Sequence, residues 1–294
     1  MEDKMKKPKV SVLTPIYNTN PQWLREMIES VLAQTFTDFE FILLNDSGRP
    51  EKERLARIVK SYRDPRIVYV ENKKNMGLTF SRNKLIDLAR GEYLAIRDHD
   101  DISKPDMFQK EVEFLDANPN IGVVSCNIHY FPNGLITEHP ENNLEIKRKL
   151  TQGCYFAHPA SMIRKSILIE SGVRYEQEYS PSEDYMLFVR LISHTMFHNL
   201  QDVLMDYRNE ETNTTHLQSK KMQDATALIR DFANRNHPYL SGNLVRDMPR
   251  GTIRNKSKEW LRLFSVIPFI KLKRKANGNT KFYLFGFIPL LYRK

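Results

Sequence analysis

Cysteine is almost missing from this 294-residue chain: Cys126 and Cys154 are the only two. Two are too few for a disulfide framework, and no other metal-ligating side chains group with them, so a reducing, cytoplasmic setting is expected. Long apolar runs are missing too, and none approaches the ~18 residues of a membrane-spanning helix. The first residues, Met1-Glu2-Asp3-Lys4-Met5-Lys6-Lys7, are charged and have no apolar stretch, so no secretory signal is expected. Neither Gly-x-Gly-x-x-Gly nor Gly-x-x-x-x-Gly-Lys-Ser/Thr occurs, which removes support for dinucleotide and P-loop binding. There are no internal repeats and no low-complexity tract.

Charge is present but unevenly placed. The chain carries 45 Lys and Arg against 36 Asp and Glu, a net charge of +9. From Arg246 to Lys294 there are 13 basic and 2 acidic residues, which leaves 32 against 34 in the remainder. A near-neutral body with a basic tail points to an anionic surface rather than to nucleic acid. The tail also holds Trp260, Leu261, Phe264, Ile267, Phe269, Ile270 and an aromatic run around Phe282. It can lie on an anionic membrane, peripheral to the inner face, or fold back on the domain with a solvated basic face.

The order of elements carries the fold. Lys9 to Thr14 reads as a strand ending at Pro15-Ile16-Tyr17-Asn18, and Asn20 stands ready to cap a helix with Pro21 in its first turn. Trp23, Leu24, Met27, Ile28, Val31 and Leu32 then recur at helical spacing. Phe39 to Leu44 is a near-continuous apolar run, as a parallel strand covered on both faces requires, and it ends at Asn45-Asp46-Ser47-Gly48. A helix from Glu51 to about Tyr62, a strand over Ile67 to Val70, a helix bearing Arg82 and Asn83, and a strand over Tyr93 to Ile96 follow. Four such alternations in about 115 residues predict a doubly wound α/β domain with a mostly parallel sheet. Further on, Ile121 to Ser125 and Val203 to Tyr207 read as strands, and a helix starts at Ser182-Glu183-Asp184. Helices are also expected from His216 to about Asn234 and around Lys256 to Phe264.

Asp98, Asp100 and Asp101 crowd the end of the fourth strand. Three acids against an apolar strand end repel one another and resist desolvation, and a cation would relieve both costs. Carboxylates without cysteine suit a hard ion, Mn2+ or Mg2+, although an acidic turn capping the next helix is the plainer reading. Tyr17, Asp46 and Asp98 follow the ends of three strands, on the rim where open α/β sheets bind ligands.

Taken together, these stretches resemble the family 2 glycosyltransferases of the GT-A fold, over roughly Lys9 to Arg208. The resemblance is carried by Val10 to Asn18, Gln34-Thr35-Phe36, Asp38-Phe39-Glu40, Asn45-Asp46-Ser47, Asn75-x-Gly77-Leu78-x-x-x-Arg82-Asn83, Gly91-Glu92-Tyr93, Asp98-His99-Asp100-Asp101 and Glu183-Asp184-Tyr185. It implies a metal-dependent inverting hexosyltransferase that takes a nucleotide sugar, UDP-linked above all, and builds bacterial surface glycan or lipopolysaccharide. The acceptor would be a saccharide or lipid-linked saccharide. By resemblance, Pro15 and Tyr17 would flank the base, Asp46 would accept the uracil ring N–H, and Arg82 would lie near base or diphosphate. Asp98 would contact ribose or metal, Asp100 would ligate the metal, and Asp184 would be the general base with Glu183 in support. Where the family often has a histidine after Tyr207-Arg208, this chain has Glu210, and His216 is the nearest substitute. His158 either lines the acceptor side or packs in the core. The implied layout is a catalytic domain over 1–215, a helical extension over 216–265 and a basic-aromatic tail over 266–294. Two other classes compete: a sugar nucleotidyltransferase, whose glycine-rich signature is missing after the first strand, and a non-catalytic glycan-binding module on the membrane.

Overall fold

The computed structural model describes residues 7–210 and 218–240, and beyond them the backbone of four short strands. The chain divides into two compact units, Met1–Ser241 and Gly242–Lys294. In the first unit the strands are β1 (Val10–Ile16), β2 (Phe39–Asn45), β3 (Ile67–Glu71), β4 (Tyr93–Ile96), β5 (Ile102–Ser103), β6 (Ile121–Phe131), β7 (Leu135–Ile136), β8 (Met162–Arg164) and β9 (Met196–Arg208). The helices are α1 (Pro21–Leu32), α2 (Glu51–Ser61), α3 (Leu78–Leu88), α4 (Met107–Ala117), α5 (Asn143–Leu150), α6 (Lys165–Ser171), α7 (Glu183–Leu191) and α8 (Ser219–Asn236).

Sheet order is β3-β2-β1-β4-β8-β6-β9-β5, with β7 hydrogen-bonded to β6. The first four strands are parallel, β8 is antiparallel to both its neighbours, and β6 and β9 run parallel. From β1 the chain winds outward to β2 and β3, then returns to β4 on the other side of β1. That reversal opens a crevice beyond the carboxyl ends of β1 and β4, where a ligand is reached by backbone and side chains from both halves.

The two faces of the sheet follow from period-2 alternation. Val10, Val12 and Ile16 of β1 pack with α1, α2 and α4, whereas Leu13 packs with α3 and α7 on the other side. Helix α1 begins as its sequence indicates: the Asn20 side chain accepts from the Gln22 N–H at 2.9 Å, with Pro21 at the first position. Ile229 and Ala233 of α8 are buried in the same core as α7. Helix α8 therefore belongs to the first unit, although the boundary expected at 215/216 would set it apart. The strand expected over Val203 to Tyr207 begins earlier, at Met196, because it follows β6 along its whole length.

In the second unit Glu259–Leu261 (β10), Ile270–Arg274 (β11), Thr280–Leu284 (β12) and Ile288–Arg293 (β13) form an antiparallel sheet. The helix expected around Lys256 to Phe264 is thus a strand at its centre. Backbone pairing with Ile270–Leu272 fixes it, which overrides a weak helical periodicity. No helix among the described residues is long and apolar enough to cross a membrane.

One buried acid braces the sheet's far rim. Glu40 accepts from Ser11 Oγ at 2.6 Å, and from the Arg90 backbone N–H and Nε at 2.7 Å each. Gly91 donates to Ser11 Oγ at 2.7 Å. A Cβ on Gly91 would lie 2.5 Å from Ser11 N and 2.7 Å from Val10 C, both backbone atoms that cannot turn aside. Gly91→Ala is expected to destabilise the fold by about 1–3 kcal/mol. A Cβ on Gly48 would meet no atom within 4 Å, so Gly48→Ala should stay within about 0.5 kcal/mol of wild type. Urea midpoints of the two variants compare them directly.

Candidate active site

Residues far apart in sequence meet beyond the carboxyl ends of β1, β2 and β4. Pro15 is buried in β1, opposite Leu44 of β2. Tyr17, one residue past β1, is 49% exposed, and the Asn18 N–H next to it donates to Ser47 Oγ at 2.9 Å. Asp46 is held just past β2, where its backbone N–H donates to Ile16 O at 2.9 Å.

The Asp46 side chain is 3% exposed and organises the turn that precedes α3. Its Oδ1 accepts from Asn72 Nδ2 at 2.7 Å and from the Met76 N–H at 2.9 Å, and its Oδ2 accepts from the Gly77 N–H at 2.8 Å. Gly77 has φ +91°, a left-handed conformation that glycine adopts without strain.

Arg82 of α3 turns inward. Its guanidinium donates to Glu183 Oε1 at 2.9 Å and to Asp98 Oδ1 at 3.3 Å, and lies 5.5 Å from the Tyr175 ring centroid. Glu183 is 1% exposed, so this is a buried ion pair. Burial opposes the charge on Arg82, but Asp98, Glu183 and Asp184 outweigh it and raise the pKa. Asp98 is held below the usual carboxylate range: burial pushes it up, and the Arg82 guanidinium above all pulls it further down. Arg82 therefore joins the acid cluster at the end of β4 to the start of α7. It was expected to lie near base or diphosphate, and two of its nitrogens are committed to carboxylates.

Asp184 stands beside Glu183 in the first turn of α7, its Oδ1 accepting from the Tyr185 N–H at 2.7 Å. Burial pushes its pKa up to about 6; Arg82 works against this, while Glu183 and Asp98 add to it. Ser182, which precedes the pair, touches α8 through Thr226 Oγ1 at 3.4 Å.

Asp100 and Asp101 are raised by burial, and their like-charged neighbours add to the rise. Asp101 Oδ1 accepts from the Arg208 N–H at 2.9 Å, while its Oδ2 is buried without a partner. Arg208 Nε donates to the Asp100 carbonyl at 3.0 Å, and its guanidinium lies 5.0 Å from the Trp23 ring and 4.5 Å from the Phe131 ring. Among the described residues no three acid, His or Cys side chains converge as a closed metal cage. A hard divalent ion still fits this donor set, since Mg2+ in particular is commonly held by one or two carboxylates with water and phosphate oxygens completing the shell. A cation here would relieve both the raised Asp100 and the orphaned Asp101 oxygen.

His158 resolves to the core. It is buried, its Nε2 shares a 2.8 Å hydrogen bond with the Tyr175 hydroxyl, and burial lowers its pKa to about 3. His99 Nδ1 is 3.8 Å from Asp100 Oδ1, too far for a hydrogen bond. His216 lies outside the described residues.

Two partners of the site went unread in the sequence. Arg97 is buried and donates to Glu111 at 2.7 Å and to the carbonyls of Ile96, Pro159 and Ser161. As the residue just before Asp98 it anchors the end of β4, but a single Arg and a Glu on the next helix leave no local pattern to find them by. Asn72 was missed for the same reason. Arg97→Met strands Glu111, which burial already raises to about 7, and is expected to cost about 3–5 kcal/mol in chemical denaturation.

The Asp184 shift has a sign for stability. Its folded pKa lies above the unfolded value of about 3.9, so the ionised carboxylate weakens the fold above pH 6, and protonation relieves this as pH falls toward 4. Asp184→Asn should therefore melt at or above the wild-type temperature at pH 7, with the gap closing by pH 4.

Comparison with known proteins gives one consistent result. The sequence profile described as "Glycosyl transferase family 2" matches residues 11–172. The uncharacterized glycosyltransferase MJ1057 of Methanocaldococcus jannaschii is 31% identical over 247 residues, covering 81% of this chain and 84% of that protein. Among solved structures, S. aureus TarS 1–349 in complex with UDP-GlcNAc superposes with a TM-score of 0.63 at 20% identity, over 75% of this chain and 65% of that one. The mannosyltransferase PcManGT from Pyrobaculum calidifontis, in complex with GDP-Man and Mn2+, gives 0.55 at 16% identity, over 85% and 77%. At these identities the two structures establish the fold: a GT-A-like, doubly wound and mostly parallel sheet, with α8 as its C-terminal helical extension.

Proposed function

The chain belongs to glycosyl transferase family 2, and from that premise we propose that it is an inverting hexosyltransferase acting in cell-surface glycan assembly. Its donor is a nucleotide sugar, UDP-linked first of all, and its acceptor a hydroxyl of a saccharide or lipid-linked saccharide. The observation that carries this reading is the Arg82 bridge, which ties the turn bearing Asp184 to the strand end bearing Asp98.

Asp184 takes the acceptor proton as the hydroxyl oxygen bonds to the anomeric carbon and the bond from that carbon to the diphosphate breaks. The leaving diphosphate needs no proton, so one carboxylate suffices where a glycoside hydrolase uses two. A pKa of about 6 keeps Asp184 ionised at pH 7 while leaving it more basic than an ordinary aspartate. Glu183 and Arg82 hold it in position. Mn2+ or Mg2+, held by Asp100 and Asp98, would supply neutralisation of the charge building on the diphosphate. Pro15 and Tyr17 flank the base, and Asp46 accepts its ring N–H.

UDP-GlcNAc in TarS supports the uridine donor, and GDP-Man with Mn2+ in PcManGT supports guanosine as the second choice. Uracil and guanine both carry a ring N–H for Asp46. The 13 basic residues from Arg246 onward support docking at an anionic membrane on its cytoplasmic face, where a lipid-linked acceptor would lie.

Thermal melts with UDP, GDP or CDP, each with and without Mn2+, test the donor site. UDP with Mn2+ at a hundred times its dissociation constant is expected to add about 2.7 kcal/mol, and Asp100→Asn to abolish the Mn2+-dependent part. A shift with CDP alone overturns the base assignment, and no shift with any nucleotide overturns the donor site. In a transfer assay kcat/KM should fall about tenfold per pH unit below pH 6, and Asp184→Asn should lower kcat by about 10²–10⁴-fold.

A further inference from the structure

Asn72 is densely hydrogen-bonded beside the site, and no role in the proposed reaction has been given to it. It is buried just past β3, and each of its polar groups is in use. Its backbone N–H donates to Asn45 O at 3.0 Å, and its carbonyl accepts from Lys52 Nζ at 2.6 Å. Its side-chain Nδ2 donates to Asp46 Oδ1 at 2.7 Å and to Ser81 Oγ at 3.1 Å. Its Oδ1 accepts from Lys84 Nζ at 2.8 Å. Loops after β2 and β3, helix α2 and helix α3 thus all meet on one residue, α2 through its backbone carbonyl.

We infer that Asn72 is a positioning residue that sets base specificity by fixing which acceptor of Asp46 is left for the nucleotide. The inference rests on the proposed role of Asp46. An ionised carboxylate offers about four lone-pair positions. Asn72 and the Met76 N–H fill both on Oδ1, and the Gly77 N–H fills one on Oδ2. One acceptor position remains, on Oδ2, in a carboxylate that three donors prevent from rotating. Such a fixed acceptor binds a base with a ring N–H, as in uracil or guanine. It repels cytosine and adenine, whose corresponding ring nitrogen bears a lone pair. Lys84 makes the arrangement directional: a cation at this position takes the amide oxygen, so the amide nitrogen must face Asp46.

The experiment is calorimetric titration of UDP and CDP, with Mn2+, into wild type, Asn72→Leu, Lys84→Glu and Lys84→Arg. Steady-state kinetics with a UDP-sugar accompany it. Lys84→Glu keeps the buried amide but draws its nitrogen away from Asp46. The added negative charge weakens UDP and CDP alike, so the UDP-to-CDP affinity ratio isolates the positioning effect. Asn72→Leu and Lys84→Glu are expected to lower that ratio at least about tenfold, as loss of a hydrogen bond to a charged group implies. KM for the donor should rise while kcat stays within about twofold, and Lys84→Arg should retain the wild-type ratio. Should Asn72→Leu fail to fold, the Lys84→Glu ratio decides. If wild type prefers UDP and the folded variants keep that preference, Asn72 is only a loop brace and the inference falls, with the donor reading intact. If wild type binds CDP as tightly as UDP, or neither, the role of Asp46 falls first and the inference with it.

Discussion

A single guanidinium holds the two halves of this site together. Arg82 sits between Glu183 and Asp98, 101 residues from one and 16 from the other in sequence. In water such pairs contribute little, but inside a protein an unmatched charge is costly. Glu183 is 1% exposed and Arg82 8%, so removing either partner would leave the other a buried and poorly matched charge. The turn that begins α7 is therefore fixed relative to the end of β4 by electrostatic necessity rather than by shape alone. Asp184 inherits its position from that arrangement, while burial raises its pKa against the pull of Arg82.

The rim was legible because strand ends are legible. Apolar runs such as Phe39 to Leu44 announce a strand covered on both faces, and the polar residue that follows each run must sit at its carboxyl end. Tyr17, Asp46 and the Asp98–Asp101 turn all fall just past strand ends, where that logic puts them. Spacing could not show the direction in which a long side chain turns. The sequence showed Arg82 on its helix but not the two acids, Glu183 and Asp98, that its guanidinium meets. Asn72 and the Arg97–Glu111 pair were invisible because their partners come from other elements, which no window of sequence brings together. His158 was open between two roles until the Tyr175 hydroxyl was seen to occupy its Nε2.

The second half was harder to read for a related reason. Strands β8 and β9 extend a parallel sheet with antiparallel and mixed pairing, so their boundaries depend on neighbours rather than on local composition. Strand β9 shows this most clearly: only its end has a strong apolar signal, yet it follows β6 from Met196 onward. In the tail, aromatic and basic residues at mixed spacing suited helix or strand, and backbone pairing among β10, β11, β12 and β13 decides for strand.

Helix α7 and its brace α8 lie beyond the stretch that matches the family profile, which ends at residue 172. The nucleotide side, with Asp46, Asn72 and Asp98, lies within it. On the proposed reading a donor cradle and an acceptor wall, built from stretches far apart in sequence, are joined at one charged rivet. The condition on any change to that wall is small and specific: its helix must still bring an acid to Arg82.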